Sequence, residues 1–340
     1  FFQAEDGIRG VERSRGLGDV YKRQAEGTST GKAGTPEILT AGLIYGVTVY
    51  ACDSYWNIVD TNTLVTLSCP TDEYEEITPQ SQILNSGKGI FNVMIRTAKY
   101  GAEKHRLRAS ADGYSMDWDS SEFEVKYSSA VKLLMLLPNE TYLPGSAEGK
   151  QGNIVSQTAG IEFTIKVKAV DSNWNVVKDT EPVVTVIATD IYSNGPWSVG
   201  LVNGEGEITT AILRTATTEG WILTAESTGY ESYVSTSVYV VPNTDKYLQV
   251  LLPGESGEPG DIVNRGRKGT PLDQTAGTSF DITILRVDSC WNIVKEDVSG
   301  IAITSNDNYA SDLGSVDILA SGGGYTTATV TLKTSATDYT

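Results

Sequence analysis

The chain has 340 residues, enough for two or three domains, and its frequent Thr, Ser, Val, Gly and Tyr with only 3 Met are typical of β-proteins. A net charge of −17 and a pI near 4.5 argue against a nucleic-acid reader, which needs a basic face to displace counterions. With a single histidine, His105, and no apolar run of membrane-spanning length, the sequence also argues against a histidine-based metal site, a Ser-His-Asp triad and membrane insertion.

The first 24 residues differ from the rest of the chain. They hold five of the 26 basic residues and lack the alternation of apolar and polar residues that marks strands further on. They closely resemble the peptide produced when a sequencing adapter is translated in frame at the end of a metagenomic contig. We therefore predict that residues 1–24 are an adapter-derived artefact, disordered or irregular, and exclude them from the fold.

A repeated pattern organises the remainder of the chain. Thr-Ala-Gly is followed, eleven residues after its glycine, by Asp-Ser-x-Trp-Asn-(Ile/Val)-Val, and this happens three times. The tryptophans are 174 − 56 = 118 and 291 − 174 = 117 residues apart, the size of one immunoglobulin-like domain. The structural turn motif comprises Asp53, Trp56, Asn57, Asp171, Trp174, Asn175, Asp288, Trp291 and Asn292.

Alternating runs on either side of this turn predict strands with one buried face. Before the turn, the inward positions are Tyr45, Val47, Val49, then Phe163, Ile165, Val167, then Phe280, Ile282, Ile284. After the turn, they are Phe91, Val93, Ile95, then Thr209, Ala211, Leu213, then Ala328, Val330, Leu332. Two facing sheets would bury both sets. Asp112-Gly113 and Thr228-Gly229 predict a late hairpin in each repeat.

The period divides the chain into residues 25–130, 131–245 and 246–340, which we call modules 1, 2 and 3. Leu-Leu-Pro with a downstream Pro-Gly recurs in modules 2 and 3, and Arg96-Thr97-Ala98 recurs as Arg214-Thr215-Ala216 and Lys333-Thr334-Ser335. Module 1 lacks the Leu-Leu-Pro strand and module 3 stops before its last strands. We expect the outer two modules to be incomplete and module 2 to be complete.

Short strands, turn signals and the absence of helical periodicity predict an all-β fold of tandem immunoglobulin-like antiparallel β-sandwiches. Residues 53–59 and their two counterparts resemble the bacterial immunoglobulin-like repeats of invasin and intimin-type surface proteins, where a strand ends in Asp, two small residues, Gly and Asn. Trp56, Trp174 and Trp291 stand where that family usually has Gly. The resemblance implies an extracellular or cell-surface bacterial protein in which repeats act as spacers that present a distal tip.

The turn motif has structural and functional interpretations. Asp and Asn side chains hydrogen-bond their own backbone, which a turn between sheets needs. Alternatively, Asp53, Asp171 and Asp288 contribute oxygens to Ca²⁺ at domain junctions, although no dense acidic loop accompanies them. The tryptophans either cap their own core or pack on the next module, or they form an exposed platform for sugars.

The three cysteines fit no zinc spacing. Cys52 aligns with valines and is expected to be a buried small hydrophobe, with a bridge to Cys69 left open. Cys290 occupies the variable position of the turn and is expected to be exposed. His105, between Lys104 and Arg106, is expected at an exposed strand edge without a partner.

The sequence predicts no catalytic or cofactor-binding residues, so we expect a non-catalytic spacer or adhesin stalk whose partners are the neighbouring repeats of the same chain. A host-cell, matrix or glycan ligand stays open. The alternative is a set of carbohydrate-binding accessory modules in a secreted polysaccharide-active enzyme, suggested by six Trp and 17 Tyr.

Overall fold

In the computed structural model, the described residues are 8–14, 31–112, 114 and 118–335. Side chains are described from residue 31 onward, except that of Trp118. Residues 1–7 and 15–24 of the adapter-like segment lie outside the described residues, as do residues 336–340 of module 3.

Strands make up almost all of the regular structure. Up to residue 130 they are β1 (Ile8–Ser14), β2 (Leu39–Thr40), β3 (Ile44–Ala51), β4 (Leu64–Ser68), β5 (Glu76–Thr78), β6 (Ser81–Ile83), β7 (Lys88–Met94), β8 (Arg108–Ser110), β9 (Trp118–Asp119) and β10 (Val125–Lys126). Module 2 has β11 (Lys132–Leu136), β12 (Thr141–Tyr142), β13 (Lys150–Gln151), β14 (Gln157–Thr158), β15 (Glu162–Val170), β16 (Val183–Ala188), β17 (Trp197–Gly200), β18 (Glu205–Ile212), β19 (Thr217–Trp221), β20 (Leu223–Glu226), β21 (Tyr233–Val234) and β22 (Val238–Val241), with β23 (Asp245–Leu251) crossing into module 3. Module 3 continues with β24 (Glu255–Gly257), β25 (Arg267–Gly269), β26 (Ser279–Asp288), β27 (Val298–Ala302), β28 (Ser315–Ile318), a 3₁₀ turn (Ala320–Gly322) and β29 (Tyr325–Thr331).

The sheets confirm the predicted all-β sandwich class. In module 2 the sheet β11-β15-β18 faces β17-β16-β20-β21 across one apolar core, and β14-β22-β19 closes its side. Module 1 repeats this plan with β1-β3-β7-β5 and β6-β4-β8-β9. Among the strands of the described residues, the pairs are antiparallel except β2 with β10 and β14 with β22. In the described part of module 3, β23-β26-β29 and β27-β28 enclose a smaller core.

Most of the residues that the alternation predicts to point inward are buried. Val49, Ile165 and Phe91 are fully buried, as a face turned to the core requires. Thr209 was expected to point inward but is exposed. The pairing of β15 with β18 shifts register between Phe163 and Ile165, and this irregularity turns Ile208 into the core instead.

Residues 8–14 form a strand, where the sequence predicted irregular structure. β1 pairs antiparallel with β3 in the position that β11 takes beside β15 and β23 takes beside β26. The edge of β3 offers unpaired backbone N–H and C=O groups, and an extended segment satisfies them largely irrespective of its side chains. The interpretation of residues 1–24 as an artefact stays a prediction.

In module 2 the expected late hairpin is formed by different strands, and in module 1 Gly113 of the expected hairpin lies outside the described residues. In module 2, β20 turns through Thr228 and Gly229 into the two-residue β21, while Val238–Val241 crosses to pair with β14 and β19. Short runs such as β21 carry too little pattern to be seen in the sequence. Among the described residues, no helix is long and apolar enough to cross a membrane.

Candidate functional site at the module junctions

The Asp-Ser-x-Trp-Asn turn is closed by its first carboxylate. In module 2, Asp171 Oδ1 accepts hydrogen bonds from the backbone N–H groups of Asn173 and Asn175, both at 2.9 Å. Asp53 and Asp288 accept the same bonds in their turns. The tryptophan between them has a φ of 65 to 72° in all three copies, the left-handed region that favours glycine.

The tryptophan rings compensate for this conformation by packing inside their own modules. Trp174 lies on Gly149, where a Cβ would be 2.5 Å from the ring, and its Nε1 donates to Ala147 O at 3.0 Å. Lys132 Nζ is 3.3 Å from the ring centroid, a cation–π contact. In module 3, Tyr247 stacks on Trp291 with centroids 5.0 Å apart. All three rings thus pack on their own modules, where Trp56 is buried and Trp174 and Trp291 are half-buried.

The asparagine that ends the turn reaches across to the preceding module. Asn175 Nδ2 donates to Arg96 O at 2.8 Å, and Ala98 N donates to Asn175 Oδ1 at 2.7 Å. At the next junction the same atoms of Asn292 meet Arg214 O and Ala216 N at 2.8 and 2.7 Å. Both asparagines are almost fully buried. The turn motif and the Arg-Thr-Ala landmark, found separately in the sequence, are therefore the two halves of one contact.

The same carboxylates also hold the linkers. Asp171 Oδ2 accepts from Ser128 N at 3.0 Å, and Asp288 Oδ2 accepts from Asn243 N at 2.8 Å. Each Oδ2 also accepts from the Asn side chain of its own turn. Because N–H donors surround these oxygens, the geometry favours a hydrogen-bonded carboxylate over a Ca²⁺ ligand. Within the described residues, no group of three acidic, His or Cys side chains is placed to hold a metal.

A second buried carboxylate shapes the other half of the junction, and the sequence analysis missed it. Asp190 Oδ2 accepts from the N–H groups of Arg214 and Thr215, and Oδ1 accepts from the Thr215 hydroxyl and Tyr192 N. Asp72 and Asp307 make the corresponding bonds in the other modules. The signal was present as Asp-x-Tyr, repeated at intervals of 190 − 72 = 118 and 307 − 190 = 117 residues.

The Pro-Gly landmark completes the junction. A Cβ on Gly260 would lie 2.2 Å from Thr215 Oγ1, so only glycine allows this approach. Tyr192 also donates its hydroxyl to Glu258 of the next module at 2.9 Å, and that bond raises the pKa of Tyr192 to about 12. Gly145 meets Thr97 in the same way at the first junction.

His105 is fully buried, not at an exposed strand edge as expected. Its Nε2 lies 2.8 Å from Thr97 O and therefore carries the proton, while Nδ1 lies 3.0 Å from Thr71 Oγ1. In module 2 the corresponding donor is Trp221, whose Nε1 donates to Thr215 O at 2.7 Å. The ring is buried because the loop that it supports folds over it. The charged residues on either side of His105 in the sequence do not indicate this burial.

The cysteines are all buried thiols, and no disulfide joins them. Cys52 packs in the interior, as its alignment with valines suggested. Cys290 was expected to be exposed, but it is only 5% exposed because the turn position that it occupies presses against module 2. Its burial raises the pKa of the thiol.

Cysteine at Gly160 should therefore form a disulfide with Cys290 across the second junction. A Cβ on Gly160 would lie 2.7 Å from Cys290 Sγ, and a normal disulfide keeps each Cβ about 3 Å from the opposite sulfur. After mild oxidation, mass spectrometry should show loss of two hydrogens in Gly160→Cys. Gly42→Cys, which faces Asn173 at the first junction, is the matched control and should stay reduced. Absence of the bridge would contradict the closed junction.

A cavity of about 450 Å³ lies on module 1. It is lined by Pro70, Thr71, Ala102, Lys104, Arg106, Arg108, Asp119 and Glu122. Arg106 pairs with Glu122 at 2.5 Å and Arg108 with Asp119 at 2.7 Å. These ion pairs neutralise most of the charge of the lining residues, so the lining does not indicate a particular class of ligand.

Comparison with known proteins gives only low-scoring similarities to solved structures. No family model and no curated protein matches the chain. Among solved structures, it is similar to the D0-D1 domain of intimin (11% identity, 69% of this chain and 98% of that one, TM-score 0.23). It is also similar to the adhesin InvE of Yersinia pseudotuberculosis (16%, 60% and 56%, 0.24) and to a β-glycosidase from Bacteroides vulgatus (13%, 60% and 24%, 0.27).

The chain thus spans about a quarter of the length of that glycosidase and about half of InvE. At these identities and TM-scores the similarities carry no argument about function. The fold itself is all-β, a series of immunoglobulin-like antiparallel sandwiches.

Proposed function

We propose that the chain is a non-catalytic spacer, a semi-rigid rod of sandwich modules in a bacterial surface or secreted protein. The observation that carries this proposal is the side chain of Asn175, which joins two modules through the same pair of bonds that Asn292 makes at the next junction. A flexible string of domains would not need a repeated and buried polar contact of this kind.

These hydrogen bonds favour one relative orientation of the two modules, because the partner groups on both modules are preorganised. Asp171 orients the asparagine, and Asp72 holds the backbone of Arg96 and Thr97 that receives it. Little conformational entropy is lost when two preorganised surfaces meet, so the closed arrangement is favoured over a hinge. Each linker is also hydrogen-bonded to the aspartate of the Asp-Ser-x-Trp-Asn turn that follows it, which further limits rotation of one module against the next.

The carbohydrate-binding alternative rests on exposed aromatic rings. The three repeated tryptophans pack against glycine backbone in their own modules, which favours a structural role for these three rings. The proposal also includes a stalk of an adhesin. In that case we propose that the ligand binds to another domain, which the rod would carry.

Removing both junction asparagines should loosen the rod. The double variant Asn175→Ala and Asn292→Ala loses two bonds per junction, about 2 kcal/mol each time, which shifts the closed-to-open ratio about 30-fold. Small-angle scattering of the wild-type chain should show an extended, three-lobed particle, and the variant should give a broader distance distribution and a featureless Kratky plateau.

The control for this experiment is Asn57→Ala. Asn57 is the same residue of the same turn, but it is exposed and its side chain bonds Asp53 of its own module. Its scattering should match that of the wild-type protein. A compact wild-type particle, or a double variant with unchanged scattering, would contradict the spacer proposal.

A further inference from the structure

One position of the turn Asp-Ser-x-Trp-Asn differs in every copy and faces the preceding module. This third residue of the turn, which we call the variable position, is Tyr55 in module 1, Asn173 in module 2 and Cys290 in module 3. At the first junction, a Cβ on Gly42 would lie 2.2 Å from Asn173 Nδ2. At the second junction, a Cβ on Gly160 would lie 2.7 Å from Cys290 Sγ. The variable side chain thus lies against the glycine of Thr-Ala-Gly both times.

Backbone hydrogen bonds fix the direction of this side chain. The N–H group of Cys290 donates to Asp288 Oδ1 at 2.8 Å, and its C=O accepts from Gly260 N at 2.8 Å. Asn173 makes the same two bonds at the first junction, at 2.9 and 2.8 Å. Because both backbone polar groups are bonded, the residue cannot withdraw from the junction without breaking a hydrogen bond.

The glycine on the opposite side of the contact is also fixed. Gly42 N donates to Ile95 O at 2.8 Å, and Gly160 N donates to Leu213 O at 2.9 Å. The φ angles of the two glycines, 77 and 75°, lie in the left-handed region, and the alanine before each of them is buried. Two backbones held in this way leave a gap of fixed width, so the size of the side chain between them decides whether the junction closes.

We propose that the variable position determines which modules can pack against each other. Short side chains such as cysteine and asparagine fill the gap, whereas the ring of tyrosine, the residue of module 1, is too large for it. A turn that carries tyrosine is therefore rejected by the Thr-Ala-Gly glycines of modules 1 and 2. The three modules are then not interchangeable, although they share one fold and most of their junction residues.

This inference rests on the spacer role, and it adds the residue that selects the neighbour within the rod. Specificity among similar repeats needs a repulsive contact as well as attractive ones. The hydrogen bonds of Asn175 and Asn292 are attractive contacts that the two junctions have in common. The steric contact at the glycine is the repulsive one, and its size differs from one turn to the next.

Cys290→Tyr should open the second junction. The amide of Ala216 donates to Asn292 Oδ1 across this junction at 2.7 Å, so its hydrogen exchange, measured by NMR, reports the closed state directly. We expect this exchange to become about tenfold faster or more, because an overfilled contact cannot close. Cys290→Asn is the matched control, since asparagine fills the corresponding gap at the first junction, and its rate should stay within about threefold of that of the wild-type protein.

Module 3 itself should tolerate tyrosine at the variable position. Tyr55 occupies that position in module 1, where Tyr55 N and Asn57 N still donate to Asp53 Oδ1, both at 2.9 Å. Hydrogen exchange in the core strand β26 should therefore be the same in Cys290→Tyr as in the wild-type protein. This second measurement separates an open junction from an unfolded module.

A further pair of variants tests the gap from the glycine side. Gly160→Ala places a Cβ 2.7 Å from Cys290 Sγ, which is closer than such atoms approach, and should open the junction. Adding Cys290→Ala removes the sulfur, so it should slow the exchange of Ala216 about fivefold or more relative to Gly160→Ala alone. In the wild-type background, Cys290→Ala leaves a small void and should slightly speed that exchange. Strain at the φ of Gly160 would not reverse the sign of the effect in this way.

Equal exchange of Ala216 in Cys290→Tyr and Cys290→Asn, or no rescue of Gly160→Ala by Cys290→Ala, would overturn the selective role. If either result appears while Ala216 is protected in the wild-type protein, the junction and the spacer role stand without the selection. If Ala216 is unprotected in the wild-type protein, the closed junction is refuted, and the spacer role and this inference are refuted with it.

Discussion

Asp190→Ala should destabilise module 2 by about 3 kcal/mol or more, the largest effect that we expect from a single substitution outside the apolar core. Asp190 is buried, and alanine would remove the acceptor of the N–H groups of Arg214, Thr215 and Tyr192. It would also leave the Thr215 hydroxyl with only the longer bond to Pro259 O. Losing a buried charged acceptor costs more than the average hydrogen bond because its donors stay desolvated.

Hydrogen exchange followed by mass spectrometry is the appropriate measurement, because we expect the modules to unfold as separate units, and a single unfolding midpoint would combine their transitions. Peptides from the loop around Arg214 should exchange much faster in the variant, and the second junction should loosen with them. Glu219→Ala, a change at an exposed residue of the same module, is the control and should leave exchange unchanged. Equal protection in the two variants would show that Asp190 does not hold the loop.

Module 1 should lose stability as the pH falls below about 6.5, while module 2 should not. Burial is the main cause that lowers the pKa of His105 below its usual 6.5, and Lys99 acts in the same direction. The bond to Thr97 O and the carboxylates of Asp72 and Glu103 oppose this shift. Between the lowered folded pKa and 6.5, the unfolded state binds a proton that the folded state does not, so stability falls with falling pH.

The effect should reach the first junction because of what His105 supports. Its Nε2 donates to Thr97 O, and Thr97 lies between the two residues that contact Asn175. The protonated ring must donate from Nδ1 towards Thr71 Oγ1, which also accepts from Arg106 N, so the local bonds have to rearrange. Acid should therefore loosen the first junction more than the second, where Trp221 makes the corresponding bond.

The measurement is hydrogen exchange of modules 1 and 2 at pH 8.0 and 5.5, corrected for intrinsic exchange rates. His105 is the only histidine of the chain, so no other side chain has an ordinary pKa in this interval. His105→Gln keeps an N–H donor for Thr97 O without a titrating ring and should flatten the pH dependence of module 1. A wild-type module 1 whose protection is the same at both values, or a steeper dependence in the variant, would contradict the role of His105.

The sequence predicted the sandwich class and the inward faces because both follow from a period of two residues. It also predicted that the Asp-Ser-x-Trp-Asn turn is structural, because Asp and Asn bond local backbone in a recognisable spacing. It did not predict what the turn contacts. Asn175 and Arg96 are 79 residues apart, and only the folded chain brings them together.

The burial of Cys290 and His105 was missed for a related reason. Both lie among polar residues that are typical of a surface. Cys290 is covered by Gly160 of the preceding module, and His105 lies between the loop of Thr97 and Thr71, which is 34 residues away in the sequence. Asp190 was overlooked because single acidic residues are usually solvated, although the recurrence of Asp-x-Tyr in three copies carried the information.

The two junctions are built from the same atoms at nearly the same distances. When a contact repeats in this way, each step along the chain applies one rotation and one translation, as in a screw. Two such steps define an axis, and a longer series built with the same turn would follow it with a constant rise. The length of the rod would then be proportional to the number of modules. The number of modules would also fix the rotation, about the rod axis, of a domain at its end.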